Sequence, residues 1–172
     1  MQTAIKKLEN ADQYQSFKSY KTIFVKSVSH GRISFLPKSN RILLTDEFSR
    51  ELKIFDSDGS LLKAFNPENM LIRPYSTCIT HKDRIIIGDK GNEGIFIFNS
   101  RFDFLKHFGK SVKNSTTYLC ADNNNSALIY STHCADNEFI AWNIDDEQAV
   151  SQLKLERPEY IYVKYDKIYV TR

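Results

Sequence analysis

Arg41-Ile42-Leu43-Leu44-Thr45-Asp46 returns 43 residues later as Arg84-Ile85-Ile86-Ile87-Gly88-Asp89, and the match continues at that offset without a gap. Ile54-Phe55-Asp56-Ser57 superposes on Ile97-Phe98-Asn99-Ser100, Leu62-Lys63 on Leu105-Lys106, and Phe65 on Phe108. A run of matches at one offset is the mark of a repeat architecture. A third, worn copy follows: Phe139 to Asn143 matches Ile95 to Asn99 at an offset of 44, and Thr132 stands where the 43-residue offset would put Asp. A fourth opens at Arg157-Pro158, matching Arg73-Pro74, and runs into Lys167-Ile168-Tyr169-Val170, which matches Arg84 to Ile87.

Within each unit the apolar runs are short, rich in Ile, Val, Phe and Tyr, and separated by Asn, Asp, Gly and Ser. Such runs are strands joined by turns. The best copy divides into strand a (residues 32–37), b (41–45), c (51–56) and d (60–65), with Asp56-Ser57-Asp58-Gly59 as a tight c–d turn whose Gly supplies positive φ. Four antiparallel strands in forty-odd residues make a propeller blade. The expected fold is therefore all-β, a propeller of four-stranded antiparallel blades with about four units. Residues 31–72, 73–114 and 115–156 are the repeats, and 157–172 begin a further one. Residues 1–30 hold strands of an incomplete blade, expected at Ile5 to Glu9 and Tyr14 to Tyr20. Those two strands and the last two could close a four-unit ring, or the chain could be part of a larger propeller.

Composition sets the outer limits. With 172 residues, one core or one length of repeat array is available. With 41% of its residues hydrophobic and 13% aromatic, the composition is that of a folded chain rather than a disordered one. No apolar stretch reaches membrane-spanning length and the first twelve residues are polar, so a soluble, cytoplasmic protein with no membrane contact is expected. Cys78, Cys120 and Cys134 form neither a disulfide framework nor a zinc pattern.

The units resemble NHL repeats, whose pattern is a Pro-led strand, an apolar run ending in Asp, an Ile-x-Val-Phe-Asp-like strand, a Gly turn and a Phe-Gly finish. The matching residues are Ile42 to Asp46, Ile54-Phe55-Asp56, Gly59 and Phe65, then Arg73-Pro74, Ile85 to Asp89, Ile97-Phe98-Asn99 and Phe108-Gly109. In the family this resembles, such propellers are often the C-terminal substrate- or RNA-recognition part of tripartite-motif ubiquitin ligases. The resemblance implies a binding or scaffolding module, with ligase activity belonging only to a longer chain carrying a RING domain. Six blades, usual in that family, need roughly 260 residues, so an open array exposing strand edges would self-associate or take a partner.

Candidate chemistry is sparse. No Ser-His-Asp set, phosphate-binding Gly loop or H-E-x-x-H occurs, so no enzymatic activity, catalytic residue, metal or cofactor is expected. A calcium-dependent propeller hydrolase is a distant alternative, implied by the resemblance in repeat length to calcium-dependent propeller lactonases and lyases; Asp56 to Gly59 opens like a calcium loop yet lacks the remaining ligands and reads as a hairpin turn. Asp46 and Asp89 are expected to accept backbone N–H groups of the turns that follow them. Recognition then falls to loops on one face, where Arg50, Arg73, Lys90, Lys110 and Lys113 are the candidate ligand-binding residues. A protein partner is the first expectation, because charges of both signs alternate on that face. Single-stranded RNA is the second, since it needs basic side chains beside rings on which bases stack.

Overall fold

The computed structural model describes residues 31–92, 94–109, 117–164 and 167–171. The strands expected at Ile5 to Glu9 and Tyr14 to Tyr20 lie outside them, as do Lys110 and Lys113. Three four-stranded sheets follow one another along the chain: β1 (Ile33–Leu36), β2 (Arg41–Asp46), β3 (Glu51–Phe55) and β4 (Leu61–Phe65); β5 (Pro74–Ile79), β6 (Ile85–Asp89), β7 (Gly94–Phe98) and β8 (Phe104–Phe108); β9 (Thr117–Ala121), β10 (Leu128–His133), β11 (Glu138–Asn143) and β12 (Gln148–Lys154). A fourth unit has two strands, β13 (Ile161–Lys164) and β14 (Lys167–Val170). Every pairing is antiparallel and joins strands adjacent in sequence. These are propeller blades, and the strands of the first fall within a residue or so of those expected.

The c–d turns repeat one design with different residues. Asp56 Oδ1 accepts the N–H groups of Asp58 and Ser60 at 3.2 and 3.0 Å, Asn99 Oδ1 those of Arg101 and Asp103, and Asn143 Oδ1 those of Asp145 and Asp146. Each turn then needs one residue in the left-handed region, filled by Gly59 (φ 91), Phe102 (φ 69) and Glu147 (φ 61). Phe102 is the costly choice, because a Cβ is disfavoured there. Its ring packs edge-on against Phe65 of the first blade, centroids 5.0 Å apart, so the strained turn supplies a contact between blades.

The core lies between blades rather than within them. Leu43, Leu52 and Ile54 pack against Ile85, Ile87, Phe96 and Phe98; Cys78, Ile86, Ile95 and Ile97 against Leu119 and Ile129; Tyr130, Phe139 and Ala141 against Val163. Alternate residues of β6 thus face opposite neighbours, which is why Ile85-Ile86-Ile87 reads as an unbroken apolar run. A buried Ile, Leu or Phe stabilises by roughly 1.5–3 kcal/mol, so each inter-blade layer supplies several kcal/mol.

Asp46 and Asp89 hold the turns after strand b, as expected. Asp46 Oδ1 accepts from Phe48 and Ser49 N–H and its Oδ2 from Lys53 Nζ at 2.5 Å. Asp89 accepts four N–H groups, those of Gly91, Asn92, Ile72 and Arg73. In the third blade the register corrects the sequence alignment. Asp46 pairs with Glu51 and Asp89 with Gly94, and their counterpart is His133, paired with Glu138. The extra residue of the third copy lies in the a–b loop (122–127), before strand b, so Thr132 aligns with Thr45 instead. The hydrogen bonds agree: Thr45 Oγ1 donates to Tyr75 O of the next blade, and Thr132 Oγ1 to Glu159 O of the next. The second blade has Gly88 at that place, where a Cβ would lie 2.5 Å from Ser76 Oγ and 3.3 Å from Leu119. Gly88 gives up the hydrogen bond and makes room for the third blade.

Candidate functional site

Strands β1, β5, β9 and β13 touch in succession and are the inner strands of the array. Within one residue of each start stand Arg32, Tyr75, Tyr118 and Tyr160, at intervals of 43, 43 and 42 residues. The repeat therefore brings them together around one axis. The Arg32 guanidinium carbon lies 5.2, 4.4 and 5.2 Å from the centroids of Tyr75, Tyr118 and Tyr160. The rings themselves meet, Tyr75 with Tyr118 at 5.6 Å and Tyr118 with Tyr160 at 4.8 Å, and the Tyr75 and Tyr118 hydroxyls are 3.1 Å apart. Cation–π attraction of this kind is worth about 0.5–2 kcal/mol per pair. Burial, reinforced by the hydrogen bond with Tyr75, pushes the Tyr118 hydroxyl above the ordinary tyrosine range, so it stays protonated.

Two of the expected binding residues join this cluster. Lys90 Nζ sits 3.3 Å from the Tyr75 centroid and 3.7 Å from Glu47 Oε2. Arg73 donates to Glu47 Oε1 from Nε and Nη2. Burial lowers the Lys90 pKa; Glu47 opposes this, while Arg73 and Arg32 push the same way. Arg73 and Lys90 thus share the Glu47 carboxylate, and with Arg32 on the same rings the cluster is positive. Arg32 Nε is buried without a hydrogen-bond partner among the described residues. Arg50 stands apart, exposed at the left-handed end of the b–c turn with φ 62, and makes no ion pair among the described residues. Of these four, sequence reasoning names only Tyr118, as a ring flanking the basic stretch from Lys110 to Lys113, although their spacing carries the repeat as clearly as the Asp residues do.

At the other end of the inner strands is a cavity of about 370 Å³ whose walls include Phe35, Cys78, His81, Cys120, Asp122 and Tyr162. Its carboxylate is already engaged. Asp122 accepts the N–H groups of Asn124 and Asn125 and the Tyr130 hydroxyl at 2.6 Å. Although burial opposes it, those bonds hold its carboxyl below the usual range, and it remains ionised. Burial pushes both thiols up, Cys78 strongly, so neither is a nucleophile near neutral pH. No group of three His, Cys, Asp or Glu side chains able to hold a metal occurs among the described residues. Nor is any described helix long and apolar enough to cross a membrane.

No family model matches the chain, and no curated protein does. Solved structures do. Virginiamycin B lyase from Staphylococcus aureus with quinupristin aligns with a TM-score of 0.69 at 12% identity over 85% of this chain and 50% of its own. A streptogramin B lyase gives 0.69 at 14% identity over 87% and 50%. Hydrazine synthase of Kuenenia stuttgartiensis gives 0.67 at 8% identity over 88% and 43%. The chain spans about half the length of the structures it matches. The propeller fold is thereby supported, and NHL membership is not shown. One expectation is corrected. Enzymatic activity was excluded because no catalytic motif occurs, yet the matched propellers include lyases, so this architecture carries chemistry and the exclusion does not stand. At such identities the likeness fixes the fold and assigns no activity.

Proposed function

We propose that the chain is the recognition part of a propeller that binds a protein partner through an acidic group of that partner, held at the Arg32–Lys90–Arg73 cluster. One observation carries this reading: three tyrosines brought together by the repeat hold a guanidinium in place, its Nε buried and without a partner among the described residues, where Glu47 is the carboxylate shared by two further cations. A pre-ordered cation loses little freedom on binding and favours a carboxylate. Arg32 also covers the ring faces on which bases would stack, which favours an acidic peptide over single-stranded RNA.

The test is fluorescence anisotropy with a labelled Glu-rich peptide and with a labelled oligouridine of similar charge, at about 0.15 M salt. Saturable peptide binding, weakened at least about tenfold in Arg32→Gln and less in Arg50→Gln, is expected. Tighter binding of the oligouridine, or peptide binding indifferent to Arg32→Gln, would overturn the reading.

A further inference from the structure

Among the described residues, loops carry three exposed large apolar side chains, and all three lie on the face that holds the Arg32 cluster. Phe48 is in the b–c turn of the first blade, Ile72 in the crossover from the first blade to the second, and Tyr160 in the crossover from the third blade to the fourth unit. The other exposed large apolar side chains stand on strands, and the described a–b and c–d loops of the opposite face display none. A single exposed apolar side chain is ordinary, so it is this placement that carries meaning.

Phe48 and Ile72 border one ion pair. Phe48 follows Glu47, Ile72 precedes Arg73, and Arg73 binds Glu47. Both backbones are held by buried carboxylates, Phe48 N–H donating to Asp46 Oδ1 at 3.1 Å and Ile72 N–H to Asp89 Oδ2 at 2.9 Å. Asn66 bonds both the N–H and the carbonyl of Leu71, and Asn92 Nδ2 donates to Met70 O. These bonds fix a crossover in which Glu68 and Asn69 are both left-handed, φ 48 and 55, a costly conformation for side chains with a Cβ. Ile72 itself rests on Gly91, where a Cβ would lie 2.5 Å from its Cγ2. Apolar side chains on so fixed a backbone lose little freedom when a partner covers them. The charges lie deeper: Phe48 is 77% exposed and Ile72 41%, while the Glu47 and Lys90 side chains are 11% and 13% exposed.

Resting on the acidic-partner reading above, we infer that the partner's acidic residue has an apolar neighbour in its sequence: the carboxylate enters toward Lys90, Arg73 and Arg32 while the apolar side chain seats on Phe48 and Ile72. The recognised segment is thus a peptide in which Glu or Asp stands beside Leu, Ile, Met or Phe. The charge supplies the complement to a positive cluster, and covering the apolar rim excludes water from around it. A single side chain can reach cations at that depth, whereas the flat headgroup layer of an anionic membrane cannot.

The test uses two labelled Glu-rich peptides of equal length and charge, one with two Leu residues set among the Glu and the other with Ser in their places. Anisotropy on the full chain at about 0.15 M salt should show the Leu peptide binding at least about fivefold more tightly. Phe48→Ser should abolish that preference and Ile72→Ser should reduce it, with circular dichroism as the check on folding. Leu62→Ser, at an exposed position of the outer strand β4, should leave it intact. Arg32→Gln should weaken both peptides and preserve their ratio. Equal binding of the two peptides, or a Leu preference that survives both Phe48→Ser and Ile72→Ser, would overturn this inference and leave the Arg32 site standing. Failure of both peptides to bind, or binding indifferent to Arg32→Gln, would overturn that site and this inference with it. Co-sedimentation with vesicles of equal parts phosphatidylcholine and phosphatidylserine, lost in Phe48→Ser, would overturn it in favour of a membrane surface.

Discussion

The first and third blades place different chemistry at one point of the fold. After β2, the Asp46 carboxylate gathers two turn N–H groups and the Lys53 ammonium. After β10, His133 stands there, buried, with its Nε2 2.9 Å from Ser131 Oγ, which also accepts from Trp142 Nε1 at 2.8 Å. The turn itself closes as one 3-10 turn, Cys134–Asp136, ended by Asn137 in the left-handed region. The turn can thus be held from inside by a side chain or closed by its own backbone. The repeat conserves the geometry, and the chemistry is free to change.

The comparison breaks hardest where the carboxylate does most. Asp89→Ala leaves the N–H groups of Ile72, Arg73, Gly91 and Asn92 without their acceptor and should cost about 3 kcal/mol in urea unfolding. Ser131→Ala removes the acceptor of Trp142 Nε1 in the third blade, and about 1–2 kcal/mol is expected there.

The two residues also titrate in different windows. Burial lowers the His133 pKa, which Asp136 and Glu138 only partly oppose, so below pH 6.5 the unfolded chain takes up a proton before the folded one. Stability contributed by the neutral ring is full above 6.5 and lost as pH falls below it. His133→Gln should flatten the unfolding free energy in that window. Burial raises the Asp46 pKa, but the bonds from Lys53 and Ser49 outweigh it and leave the pKa below 3.8. Its contribution is full above 3.8 and lost as pH falls through the lowered value, so Asp46→Asn should flatten the more acidic part of the profile. Identical pH slopes for the two variants would undo the comparison.

The smallest effect is expected at the c–d turn of the second blade. Phe102→Gly relieves a left-handed side chain, worth about 1 kcal/mol, and forfeits the ring contact with Phe65, so the melting temperature should shift by only a few degrees.

The blade pattern was legible because one offset aligned apolar runs, turn residues and the b-strand Asp together. The third blade was harder to read, since its extra residue falls in a polar loop where 122–127 gives no hydrophobic marker of position. Only the ladder pairings show that His133, not Thr132, follows the Asp positions. The cluster around Arg32 was hidden for another reason. A cation lying over three rings 43 or more residues away has no local signature, and one of its four positions is not aromatic. Arg73 and Lys90 were found by charge alone, which could not reveal that both converge on Glu47.

Because every strand pairs with its chain neighbour, the hydrogen-bonded ladders of a blade are complete as soon as its own forty-odd residues have been synthesised. The next blade then arrives at a finished surface: Tyr75 O meets a Thr45 hydroxyl that has been waiting for 30 residues. Growth from the ribosome can therefore proceed blade upon blade, with each new inner strand reading the one before it as its template. The middle blade, walled on both sides, locks only when its successor is added, so the order of translation is also an order of stabilisation.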